Sequence, residues 1–128
     1  MPTRRIVIAA AFLAATSVYA LAGESTLFTA KNFAAAQVAG DSILVHINAP
    51  WCPTCKAQLP ILEKLESDPK FAALKVFRVD FDTQKDVVRS FKASSQSTLI
   101  VFKGQTETGR SVGDTDPGAI AALLAKAL

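Results

Sequence analysis

The apolar positions of this chain follow two rhythms, one with the period of a strand and one with that of a helix. Ser42-Ile-Leu-Val-His-Ile-Asn48 is apolar on nearly both faces and rich in β-branched residues, which predicts a strand buried inside a sheet. Leu74-Lys-Val-Phe-Arg-Val-Asp80 alternates as a strand, and Thr98-Leu-Ile-Val-Phe102 is a further apolar strand. Gly104-Gln105 predicts a turn into a partner strand over Thr106 to Val112. Leu59, Leu62 and Leu65 recur at helical spacing within a helix predicted from Pro53 to Glu66. Pro53 suits its first position, and Pro60 is expected to kink it. An earlier helix is read over Thr29 to Val38. Thr83-Gln-Lys-Asp86 reads as a capping box opening a helix through Phe91, and Asp116-Pro117 as the start of a final helix rich in Ala and Leu. The resulting order, (β)αβα followed by βαββα, implies an α/β fold with helices flanking a central mixed sheet. Phe28, Phe33, Phe71, Phe77, Phe81, Phe91 and Phe102 are expected in or near its core. No repeat, low-complexity segment or linker interrupts the pattern.

The 128 residues suit one domain, and the first 22 are expected to lie outside it. MPTRR is a short positive segment, Ile6 to Thr16 is an apolar run, and Ala20-Leu-Ala22 has the small-x-small spacing of a cleavage site. A signal peptide over residues 1–22, cleaved after Ala22 or after Ala20, leaves a domain over 23–128. The alternative, an uncleaved membrane anchor, is disfavoured because a spanning helix needs about 20 apolar residues. Cleavage also changes the charge picture. The full chain has 14 Lys+Arg against 11 Asp+Glu, and losing Arg4 and Arg5 leaves 12 against 11. The remaining charges are scattered, without the dense basic run of a nucleic-acid binder, so no nucleic acid is expected as a partner.

Both cysteines and the single tryptophan lie in Ala49-Pro-Trp-Cys-Pro-Thr-Cys-Lys56. Two thiols at this spacing can form a reversible disulfide, hold a metal or sit inert in a core. An exported chain works where disulfides persist. A loop of two intervening residues, however, makes a poor structural staple. Redox chemistry is therefore the favoured reading. Pro53 sets Cys52 at a helix N-terminus just after a central strand, where open α/β sheets carry their sites. The unpaired N–H groups and partial positive charge there favour a thiolate. Cys52 is expected to attack a substrate disulfide and Cys55, one turn on, to resolve the mixed disulfide. Trp51 is expected to supply a flat apolar wall beside an exposed Cys52 sulfur.

Trp51-Cys-Pro-Thr-Cys-Lys56 resembles the W-C-x-x-C-K active-site loop of the thioredoxin family. Pro60 matches the family's helix-bending proline. Arg78-Val-Asp-Phe-Asp82 resembles its third-strand segment, and Ser97-Thr-Leu-Ile-Val-Phe-Lys-Gly104 its later P-T-L-x-x-F-K stretch. Gly113 fits the glycine after the last strand. The resemblance spans essentially the whole chain after the signal. It implies a thioredoxin-like fold and a thiol–disulfide oxidoreductase with Cys52 as nucleophile and Cys55 as resolving cysteine. It implies protein disulfides or dithiols as substrates, substrate contact through Trp51, Ser97 and Thr98, and no cofactor.

Three positions depart from the family pattern. Ser97 stands where a cis-proline is usual. A non-proline cis bond costs ~2.5–4 kcal/mol, so a trans Gln96–Ser97 peptide is expected. The change either alters substrate docking or metal affinity, or leaves the loop's shape intact. His46 replaces a buried acid. It is either a proton acceptor for the resolving thiol or a hydrogen-bonded strand histidine. Pro53-Thr54 between the cysteines tunes how strongly the helix favours the thiolate. The sequence therefore points to a periplasmic, monomeric reductant or electron carrier fed by a membrane thiol donor. The competing function is a copper-binding or copper-delivery protein using Cys52, Cys55 and His46.

Overall fold

The computed structural model describes residues 25–128; the expected signal peptide lies outside the described residues. Five strands and four helices follow in the order β1 (Ser25–Leu27), α1 (Ala30–Val38), β2 (Ser42–Asn48), α2 (Pro53–Glu66), β3 (Lys75–Asp80), α3 (Lys85–Ser90), β4 (Thr98–Lys103), β5 (Thr106–Val112) and α4 (Pro117–Ala125). A short 3-10 turn at Pro69–Phe71, absent from the sequence reading, returns the chain from α2 to β3. The strands assemble in the order β1-β3-β2-β4-β5. β1, β3 and β2 run parallel, whereas β4 and β5 are antiparallel to their neighbours.

The centre of the sheet is β2, paired on both edges and buried on both faces from Ser42 to Ile47. Its alternate residues feed two cores. Ile43, Val45 and Ile47 meet Phe28, Phe77, Phe91 and Phe102 on the side of α1 and α3. There the Phe28, Phe33 and Phe91 rings pack with centroids 5.3–5.5 Å apart, tilted or edge to face. Leu44 meets Leu62, Phe71, Leu99, Val101, Ile120 and Leu124 on the side of α2 and α4. His46 shares that second face and is aligned with Arg78 of β3. A polar side chain is thus built into the layer beneath α2.

Most helix starts are those the sequence announces. Thr29 caps α1 by accepting from Asn32 N–H at 3.1 Å, and Asp116 caps α4 by accepting from Ala119 N–H at 2.8 Å, with Pro117 next. The start of α3 is a correction. Thr83 forms no capping box; the cap position is Gln84, with no side-chain bond to the helix. The loop is ordered instead by Asp80, whose carboxylate accepts the N–H groups of Asp82 and Thr83 at 2.9 and 3.0 Å. Gln84 turns away to accept from Asp80 N–H and to donate to the Phe28 carbonyl, tying α3's entry to β1. Helix α2 continues through Pro60, whose missing N–H leaves the Lys56 carbonyl without its intrahelical donor.

Candidate active site

The end of β2 delivers the chain to a tight turn in which Cys52 N–H donates to the Ala49 carbonyl at 3.2 Å. Cys52 is extended (φ −83°, ψ 115°) and Pro53 is the first helical residue, so the cysteine itself caps α2. Its sulfur accepts from Cys55 N–H at 3.1 Å, the bond a Ser or Asp cap would make. Both cysteines are reduced. The Cys52 sulfur is not exposed as expected: both cysteines are only 1 % accessible, packed with Ala49 and Phe81 and covered by Ser97. Trp51 is the exposed member, at 55 %, and its indole Nε1 donates to Asp82 at 2.7 Å, which fixes the ring beside the dithiol.

Ser97 is the residue that binds the two thiols together. Among the described residues no peptide bond is cis, so the Gln96–Ser97 bond is trans, and Ser97 sits instead in the left-handed region at φ +63°. That backbone turns its hydroxyl toward the dithiol, where Oγ lies 3.1 Å from each sulfur. A hydroxyl has one hydrogen and two lone pairs. It can therefore donate to one sulfur while accepting S–H from the other. The two acidities are split in the corresponding sense. Burial raises the Cys52 pKa, but it is outweighed by hydrogen bonds from the Cys55 thiol, the Ser97 hydroxyl and the Cys55 and Thr54 N–H groups, so the net shift is downward. Burial and the neighbouring Cys52 push the Cys55 thiol up, against weaker help from Ser97 and the backbone. The two shifts make Cys52 the thiol that ionises first, with Ser97 O–H able to donate to it while the proton stays on Cys55.

His46 lies one layer below, 1 % accessible, with Nε2 3.2 Å from Gln58 Oε1. Burial and the charge of Arg78 lower its pKa to about 4, opposed by the Gln58 hydrogen bond, so the ring is neutral at ordinary pH. Among the described residues no hydrogen bond joins His46 to either sulfur; its Nε2 is engaged by Gln58. Among the described residues no three His, Cys, Asp or Glu side chains are grouped to hold a metal. Pro53 and Thr54 shape the first turn of α2, Pro53 exposed and Thr54 partly buried. Thr98 is buried and its hydroxyl donates to the Ser95 carbonyl at 2.7 Å, so its side chain braces the loop from within.

Sequence reasoning missed Gln58. It sits on the same helix face as Cys55 and Leu62, and a polar residue on a core-facing stripe is the signal that could have revealed it. A cavity of about 760 Å³ lies at the opposite end of the sheet, lined by Asp41, Leu74 and Lys75 among others, and includes none of these residues.

The family model for thioredoxin matches residues 24–126, nearly all of the chain beyond the expected signal. The chain belongs to the thioredoxin family. It is similar to a thioredoxin of Chlamydia trachomatis, 33% identical over 96 residues, covering 75% of this chain and 91% of that protein. It is similar also to thioredoxin-2 of Saccharomyces cerevisiae, 35% identical over 100 residues, covering 77% and 93%. Among solved structures, Trxlp from Edwardsiella tarda superposes with a TM-score of 0.77 at 40% identity, covering 79% of this chain and 98% of that one. The five-stranded mixed sheet with flanking helices is thus the thioredoxin-like fold the sequence implied, and the protein is a thiol–disulfide oxidoreductase of that family.

Proposed function

We propose that this chain is an exported, monomeric oxidoreductase that works in the periplasm as a reductant or electron carrier, passing electrons from a membrane thiol donor to protein disulfides. The observation that carries the exchange chemistry is the Cys52–Cys55 pair at the N-terminus of α2, with the Ser97 hydroxyl 3.1 Å from both sulfurs. Stabilising the Cys52 thiolate by itself moves the potential toward the oxidising end, so the reductant direction rests on membership of the thioredoxin family. The charged-then-apolar pattern of residues 1–22 supports export.

The Cys52 thiolate attacks one sulfur of a substrate disulfide; that S–S bond breaks, and the departing substrate thiolate takes a proton from solvent. Cys52 is then bonded to sulfur and carries no negative charge. Burial still raises the Cys55 pKa, but the added contribution of the neighbouring Cys52 charge is gone. Ser97 Oγ, 3.1 Å away, is positioned to accept the Cys55 S–H hydrogen bond as the proton passes to the departing substrate sulfur. The Cys55 thiolate attacks Cys52 and expels the second substrate thiolate. Two electrons and two protons reach the substrate, leaving a Cys52–Cys55 disulfide for a donor to reduce. Trp51 offers the partner an apolar platform beside the exchanging sulfurs.

Equilibration of the pair against glutathione tests the direction of flow. The expected potential is more negative than about −200 mV; a value near about −120 mV, in the range of strong disulfide donors, would make the protein an oxidant. Fractionation of cells carrying the full chain tests the location. The expected product is periplasmic and begins at Gly23 or Leu21, whereas retention of residues 1–22 in a cytoplasmic product overturns export.

A further inference from the structure

Gln58 lies on α2 one turn beyond Cys55 and is completely buried. A buried primary amide brings two donor hydrogens and an acceptor oxygen, all of which need partners. Its Nε2 donates to the Ser97 carbonyl at 3.2 Å and to the Asp114 carbonyl at 2.8 Å. Both partners can only accept. Turning the amide over would set Oε1 against two carbonyl oxygens, so the network fixes its orientation. Oε1 must then be the acceptor for His46 Nε2, and that nitrogen must carry the hydrogen. A nitrogen already protonated and donating to Gln58 does not take a proton from Cys55. His46 instead orients the amide.

The amide in turn grips the backbone that matters most. The Ser97 carbonyl receives Gln58 Nε2–H from α2 and Gly113 N–H, at 3.0 Å, from the end of β5. Gly113 is itself at φ +73°, so the residue following β5 folds back to make this bond. A serine at φ +63° persists only where its surroundings over-determine it, and these two donors are what hold it there. We propose that Gln58, oriented by His46, is a positioning residue that keeps the Ser97 hydroxyl between the two sulfurs and thereby sets the reactivity of the Cys52 thiolate. The inference rests on the dithiol being the reacting group, and it assigns the control of that group to a side chain that touches neither sulfur.

The test is a double-mutant cycle read by pH-dependent iodoacetamide capture and thiolate absorbance of the reduced protein. Gln58→Met keeps the volume and removes the grip. It is expected to slow capture of Cys52 near about pH 6 roughly tenfold, the scale of losing a hydrogen bond to a charged group. In a Ser97→Gly background, which has no hydroxyl to misplace, the same change is expected to shift capture by less than about twofold. A tenfold effect in both backgrounds, or none in either despite lowered thermal stability, overturns the proposal. Should Gln58→Met fail to fold, nitrogen NMR of His46 in the unaltered protein decides. A neutral Nε2–H ring from about pH 5 to 8 is expected, and an Nδ1–H ring or an imidazolium at about pH 6 overturns it. A disulfide-reduction assay of the unaltered protein runs alongside. Coupling without reductase activity strikes the oxidoreductase reading and leaves the positioning role standing.

Discussion

Replacing Ser97 by Gly and by Ala separates two things this one residue does, because both remove the hydroxyl but only Gly tolerates its backbone. At φ +63° an L-residue carries a strain of roughly 1–2 kcal/mol that Gly does not. Gly gives back about 0.4–1 kcal/mol through the greater freedom of the unfolded chain. Both variants lose a hydrogen bond to a charged sulfur worth about 1.5–3 kcal/mol. The Ala protein keeps the strain, so it is expected to be the less stable of the two by about 0.5–1 kcal/mol. For a domain of this size that difference is roughly 2–8 °C in Tm. The chemistry should not distinguish them: capture of Cys52 by iodoacetamide near about pH 6 falls roughly tenfold in both, since the lost donor is the same. Thermal melts and the alkylation pH profile measure the two effects independently. Equal Tm values for Gly and Ala would refute the strain argument. An alkylation profile unmoved in both would refute the claim that Ser97 stabilises the thiolate.

Other consequences follow from single contacts. His46 has a folded pKa of about 4 against 6.5 for the free side chain, so the unfolded chain binds an extra proton between those values. Stability on its account is complete above about pH 6.5 and falls by roughly 3 kcal/mol as pH drops to about 4. Denaturant unfolding of His46→Asn across that window should lose this component of the slope. Trp51→Ala should raise KM for a protein disulfide about tenfold while leaving a small aromatic disulfide nearly unaffected, because only the larger partner reaches the exposed ring. Equal losses on both would place Trp51 in the chemistry instead. Leu62, 2 % accessible on the buried face of α2, should cost about 2–5 kcal/mol when truncated to Ala in chemical denaturation.

Much of this architecture is legible in local pattern. The run Ser42 to Asn48 announced a strand buried on both faces because every position from Ser42 to Ile47 is apolar or small, apart from His46. Pro53 and Pro117 announced helix starts because a residue without an N–H is best accommodated there. The capping box failed at Thr83 because Asp80, outside the four-residue motif, takes the Thr83 N–H that Asp86 would have had to cap. The site divides in the same way. Cys52 and Cys55 are readable from spacing and helix position. The burial of the Cys52 sulfur is not, since it depends on Ser97, in the loop just before β4 and 45 residues later in the chain. The linkage from His46 to Gln58 to Ser97 joins three segments that only the packed sheet brings together. A trans peptide was expected at Ser97, but its left-handed backbone and shared hydroxyl have no local signature.

The central claim is that Cys52 attacks and Cys55 resolves. Trapping with a disulfide-bonded protein substrate tests it most directly, using reduced Cys55→Ser and Cys52→Ser proteins side by side on non-reducing gels. The account predicts that Cys55→Ser accumulates a stable mixed disulfide through Cys52, because the step that releases substrate is missing. Cys52→Ser should trap little, its remaining thiol being held protonated by burial. Equal trapping by both proteins, or trapping by Cys52→Ser alone, would contradict it.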